Sequence, residues 1–308
     1  MAPLFGYHMP NFSFPNVPRD KLFDHFVELV QAAESAGFDF VTVMDHFYQI
    51  RGVGPETEPM LEAYTTLGAL AARTSRIRFG TLVTGVTYRN PALVAKMVTT
   101  LDVISGGRAM LGIGAAWNEA EHIGYGFEFP PLRERMDRLG EALTIARCMF
   151  SEQRPSFVGR HYRIENALNE PRPIQEGGPP ILVGGSGEQR TLRLAARFAD
   201  ITHWFTGSLD EFKHKQEVLE RHCQTEGRDP SKIIKTVGSP VDIARDDAEA
   251  RAMAQAPNRR GTPATPEQAA EALRPYIEGG VQGFVFRNPN LTSPELLAAA
   301  GRVKQLVS

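Results

Sequence analysis

Eight times along this chain a short apolar run ends in a glycine or polar loop and gives way to an amphipathic stretch, and that repetition restricts the fold more than any other feature. The apolar runs read as strands near Leu4–His8, Phe40–Met44, Ile77–Val83, Ala109–Gly114, Ile181–Val183, Asp200–His203, Ile233–Gly238 and Gly283–Phe286. They are too short for helices and carry little alternation, as expected of strands buried on both faces. Helices are expected near 19–36, 61–74, 91–105, 133–150, 187–197, 208–226, 266–278 and 293–306. Asn90-Pro91, Thr265-Pro266 and Ser293-Pro294 each set a capping side chain before a proline at the first helical position. Ser208 with Glu211, Thr265 with Gln268, and Ser186 with Gln189 have capping-box spacing.

Eight strand–helix units imply a parallel sheet covered by helices, and eight is the closing number of the TIM (β/α)8 barrel. The competing doubly wound sheet would follow its first strand with a glycine fingerprint. Here that position holds Met9-Pro-Asn-Phe-Ser-Phe-Pro15, which cannot cradle a pyrophosphate. A single α/β barrel domain over 1–308 is therefore expected, with an insertion at about 151–179. That insertion contains a hairpin turning at Gly159-Arg160, and its length suggests a lid or binding loop. A surface loop is expected at 255–265.

The formal net charge of −2, without basic blocks, gives no footprint for nucleic acid or an anionic membrane. Two cysteines, Cys148 and Cys223, form neither a disulfide framework nor a zinc motif, and no metal is expected. No apolar run approaches the ~20 residues that span a bilayer. The N-terminus lacks the charge-then-apolar order of a signal peptide, so a cytoplasmic protein is expected.

In a barrel the active site lies where strands end. Strand five runs into Gly184-Gly-Ser-Gly187, a turn whose amides and helix dipole suit a phosphate, or which is an ordinary βα turn. Its spacing is neither Gly-x-Gly-x-x-Gly nor a P-loop. Strand two ends at Asp45-His46. His46 is the candidate acid–base residue, against the alternative of a structural histidine held by Asp45. His8, Trp117, Glu119, His203 and Trp204 fall on the same rim and form a candidate substrate pocket, the tryptophans either stacking on a flat ring or simply covering the barrel end half-buried. With no metal set and no nucleophile elbow, the chemistry is assigned to an organic cofactor anchored by its phosphate.

Taken in order, Phe40–His46, Arg76–Thr84, Arg89–Pro91, Leu101–Arg108, Leu111–Glu119, Pro171–Pro173, Pro179–Gly185 and Ala199-Asp200 resemble the bacterial-luciferase-like superfamily, most of all its F420-dependent oxidoreductases. The resemblance implies that Gly184, Gly185, Ser186 and Gly187 hold the cofactor phosphate through backbone amides. It implies a cis peptide at Leu82–Val83, with Leu82, Val83 and Thr84 behind the central ring and Gly112, Ile113 and Gly114 lining the ring pocket. His46 would face the reacting ring, and a homodimer is usual. Hydride transfer between F420 and a small organic substrate is implied first, FMN-dependent monooxygenation second, and cofactor binding without turnover third. Arg51, Arg89 and Arg190 are candidates for the anionic cofactor tail, against the default of solvated surface arginines. One position departs: a glutamate that some relatives use as proton donor is here Ala115.

Overall fold

The computed structural model describes residues 2–205, 207–255, 261–287 and 291–308. Eight parallel strands form the barrel in chain order: Leu4–Met9, Phe40–Val43, a third strand in two pieces, Leu111–Gly114, Ile181–Gly184, Ile201–Trp204, Ile234–Gly238 and Gly283–Phe286. The third strand consists of Arg78–Thr81 and Thr84–Gly85, and the Leu82–Val83 peptide between them is cis, as the resemblance implied. Its first piece pairs with the second strand and its second piece with the fourth. Closure is completed lower down, where Phe79 donates to the Arg108 carbonyl at 3.1 Å and Met110 donates to Phe79 at 2.9 Å.

Two apolar layers follow from the two faces of the strands. The larger packs the outer faces against the helices; a smaller one, with Phe40, Leu82, Met110, Leu182, Ile201 and Val285, fills the lower barrel. Filling the interior with side chains makes the barrel a core rather than a pore. Gly112 shows how tightly the strands approach here, because a Cβ on it would lie 1.9 Å from the Thr81 carbonyl oxygen.

The expected caps form at Asn90, Ser208, Thr265 and Ser293. Ser186 does not cap. The helix after the fifth strand begins only at Thr191, with Arg190 at its N-cap and no side-chain cap. Gly185 takes φ +113°, which swings the chain through an extra turn before the helix can start. A seven-residue helix at Glu119–Tyr125 was not visible in the sequence, being too short to show a period.

Parts of the Leu101–Arg108 segment serve the fold. Arg108 donates to the carbonyls of Ser105, Ile77, Ala71 and Thr74 and to the Thr74 hydroxyl, tying the end of helix Ala63–Ala71 to the barrel base. Buried Asp102 accepts from the amides of Ile174 and Gln175. This pins the 151–179 insertion to helix Pro91–Ser105. The hairpin forms as expected, from Phe157–Val158 and Arg163–Ile164, with Glu141 accepting from the amides of its turn. None of the insertion lines the central cavity.

Residues 256–260 of the expected surface loop lie outside the described residues, and Thr262–Ala264 forms a short strand beside Val241–Ile243. Among the described residues no helix is long and apolar enough to cross a membrane.

Candidate active site

A cavity of about 500 Å³ opens at the C-terminal ends of the strands. It gathers His8, His46, Leu82, Val83, Thr84, Gly114, Trp117 and the whole Gly184–Gly187 turn onto one lining. Of the other residues proposed from sequence, Gly112 and Ile113 are buried below it, between neighbouring strands. Glu119 is exposed on its short helix, and His203 and Trp204 do not reach the lining. Strand geometry explains Trp204. Successive side chains point to opposite faces, so His203 and Trp204 cannot share one. Trp204 is 0% exposed and packs outward against Phe212 at 5.4 Å between ring centres, whereas Trp117 is 58% exposed at the mouth.

His46 is not held by Asp45. Asp45 instead takes a bidentate ion pair from Arg89 at 2.8 and 3.0 Å and the Gly85 amide at 3.1 Å, binding the end of strand two to the upper piece of strand three. Arg89 also reaches Glu62 at 2.6 Å, so it is committed away from any cofactor tail. Arg190 is likewise paired with Asp137, while Arg51 is exposed.

The partner of His46 is Glu121, at 2.7 Å from Nδ1. Glu121 is fully buried and also accepts from the Tyr88 hydroxyl at 2.9 Å and from the amides of Phe47 and Tyr48. Burial opposes its charge, but the hydrogen bond and charge of His46, together with the Tyr48 and Phe47 amides, hold its carboxyl below the usual range. Nothing in the sequence singled out Glu121, which lies 75 residues from His46 on the seven-residue helix Glu119–Tyr125.

At the other end, the Gly185 amide is occupied by the His203 carbonyl at 3.3 Å. The amides of Ser186 and Gly187 donate to no described residue. Two adjacent free amides beside a positive-φ glycine make a concave donor site for an anion. Thr191 joins them on the lining. The wall between this turn and His46 is apolar, with Ile50, Leu132, Met136, Leu139 and Phe205. Arg287 supplies a cation, its guanidinium 4.7 Å above the Phe205 ring.

Beneath the cavity, the Thr236 hydroxyl donates to the Thr202 carbonyl at 2.8 Å, so it accepts from His203 Nδ1 at 3.0 Å. That leaves His203 Nε2 bare and buried. Burial, with the charges of His8 and Arg287, pushes the His203 imidazole down to about 3. Such a histidine is neutral when folded and gains its proton on unfolding. Its effect on stability is therefore absent above the ordinary value of 6.5 and grows more unfavourable as pH falls toward 3. Between pH 7 and pH 5 wild type should lose about 2 kcal/mol through this group. Urea unfolding of wild type and His203→Asn at both pH values checks this; equal losses in the two proteins would place the acid sensitivity elsewhere.

The sequence model of a family described as luciferase-like monooxygenase matches residues 4–299. The chain belongs to that family. An F420-dependent glucose-6-phosphate dehydrogenase of Kineococcus radiotolerans is 30% identical over 83% of this chain and 85% of its own length. An F420-dependent hydroxymycolic acid dehydrogenase of Mycobacterium tuberculosis is 34% identical over 74% of this chain and 62% of its own. Among solved structures, an F420-dependent secondary alcohol dehydrogenase in complex with an F420–acetone adduct superposes with a TM-score of 0.81, at 20% identity and full coverage of both chains. The luciferase-like fold is thus shared closely even where sequence has diverged.

Proposed function

We propose that this luciferase-like protein is an F420-dependent oxidoreductase that interconverts an apolar alcohol and its carbonyl compound. The observation that carries the reading is one cavity with a free-amide anion site at one end and a carboxylate-paired histidine at the other. The 30–34% identical dehydrogenases named above support the choice of cofactor. The residues present fit that group: Ser186 and Gly187 would hold its phosphate, and Leu82, Val83 and Thr84 would back its ring. Bound there, the deazaflavin supplies the site that accepts or gives a hydride. His46 supplies the matching proton transfer to the substrate oxygen. Trp117, Leu132 and Phe205, each more than half exposed at the mouth, would be covered by substrate and shield the reacting atoms from water.

A sugar phosphate is disfavoured by this wall and by Ala115, which stands where some relatives carry a glutamate. The setting we propose is a cytoplasmic homodimer; exposed Leu93 and Ile104 on helix Pro91–Ser105 offer apolar surface for a second copy.

Titrating the purified protein separately with F420 and FMN tests the cofactor, with micromolar binding expected for F420 alone. Preference for FMN would replace the reading by flavin monooxygenation. With F420 bound, secondary alcohols from isopropanol upward in chain length should be oxidised with kcat/KM at least about tenfold above that for glucose 6-phosphate, since each buried CH₂ contributes about 0.8 kcal/mol. A flat response to chain length would discard the apolar substrate. F420 binding without turnover of any alcohol or carbonyl compound would leave a binding protein.

A further inference from the structure

We propose that Glu121 is the positioning residue that fixes His46 with its proton on Nδ1, and that this pair fills the proton-transfer role left open by Ala115. The inference rests on the reading of His46 as the proton partner of the substrate.

Four groups converge on the Glu121 carboxylate. Oε2 receives His46 Nδ1 at 2.7 Å and the Tyr88 hydroxyl at 2.9 Å; Oε1 receives the Phe47 amide and the Tyr48 amide at 3.1 Å. The two amides can only donate. An ionised carboxylate has no hydrogen to offer, so it can satisfy a ring nitrogen only if that nitrogen carries one. A fully buried carboxylate is costly unless each contact is a donor, which selects the Nδ1–H form of His46 over its tautomer. The neutral ring then presents a bare Nε2, on the edge away from Glu121, to the cavity that His46 lines.

This places a base where an alcohol can meet it. With F420 bound to take the hydride from the alcohol carbon, the hydroxyl proton would pass to His46 Nε2 as the C=O double bond forms. The resulting imidazolium lies against the Glu121 carboxylate, which remains ionised throughout. In the reverse direction the same imidazolium returns its proton to the carbonyl oxygen. The Phe47 and Tyr48 amides belong to the chain immediately after His46, so the carboxylate also fixes the backbone that carries the ring.

The tautomer is directly observable. Two-bond ¹H–¹⁵N spectra of the full chain with ¹⁵N-histidine, with and without F420, identify which ring nitrogen is protonated, and the signals missing in His46→Ala assign the residue. Wild-type His46, when neutral, is expected to be protonated at Nδ1. In Glu121→Gln the amide oxygen is drawn to the Phe47 and Tyr48 amides, which turns its NH₂ toward His46 and should reverse the tautomer to Nε2–H, with F420 affinity unchanged. Glu121→Asp keeps the carboxylate and should keep Nδ1–H. Wild-type His46 protonated at Nε2, or Glu121→Gln retaining Nδ1–H, would overturn the proposal. Wild type that fails to bind F420 would sink the functional reading alone, because the tautomer is measured without the cofactor.

Discussion

His46→Ala is expected to lower turnover by about 10²–10⁴-fold with F420 still bound, the range typical of losing a positioned acid or base. One edge of the ring is committed to a buried carboxylate, and the ring lines the cavity. Alanine also strands Glu121 with one donor fewer, and an unsatisfied buried acceptor costs about 1–3 kcal/mol. A fall in melting temperature should therefore accompany the rate loss. His46→Gln separates the two effects, since its amide can still donate to Glu121 but cannot carry a proton at neutral pH. It should recover most of the stability and none of the rate. The check is loss of F420 absorbance with a secondary alcohol, alongside thermal melts. Turnover of His46→Ala within about threefold of wild type would move the proton to another group.

The other large effect is expected at the anion site. Gly185→Asp should weaken F420 binding by two to three orders of magnitude. It sets a carboxylate beside the phosphate, and like charges about 4 Å apart repel by up to about 4 kcal/mol at the effective dielectric of a protein surface. Part of any effect at this position is conformational, because φ +113° is unfavourable for every L-residue. Gly185→Ala carries that same strain, and its Cβ would lie 3.3 Å from Thr191 Cγ2, yet it adds no charge. The difference in F420 dissociation constant between the two variants isolates the electrostatic part. It should shrink in high salt, as a partly exposed charge interaction must. Equal binding by the Asp and Ala variants would mean that the phosphate is held elsewhere.

Some of this was legible from local signals. Runs such as Ile181–Val183 are apolar at every position because both faces of a parallel strand are covered, and Asn90, Thr265 and Ser293 cap helices by contacts within a few residues. The Gly184–Gly187 turn and His46 were found by the same logic, since strand ends define the rim of a barrel. The tryptophans show where it failed. Both fell on the rim by position along the chain, but strand parity sends Trp204 into the helix layer and leaves only Trp117 in the cavity. Ser186 failed for another reason: capping-box spacing was present, but the backbone at Gly185 delays the helix to Thr191.

The sequence by itself determined the number and order of the strand–helix units, and with them the barrel and the face on which chemistry would lie. Those follow from hydrophobic burial and hydrogen bonding between near neighbours, which composition and spacing record directly. Only the tertiary structure decided the partners: Asp45 with Arg89, Glu121 with His46 and Tyr88, and the Gly185 amide with the His203 carbonyl. Side chains 33 to 75 residues apart meet because the barrel closes, and no local pattern specifies which carboxylate ends beside which base. For the reaction we propose, that choice makes His46, one histidine among eight, the proton carrier of the site.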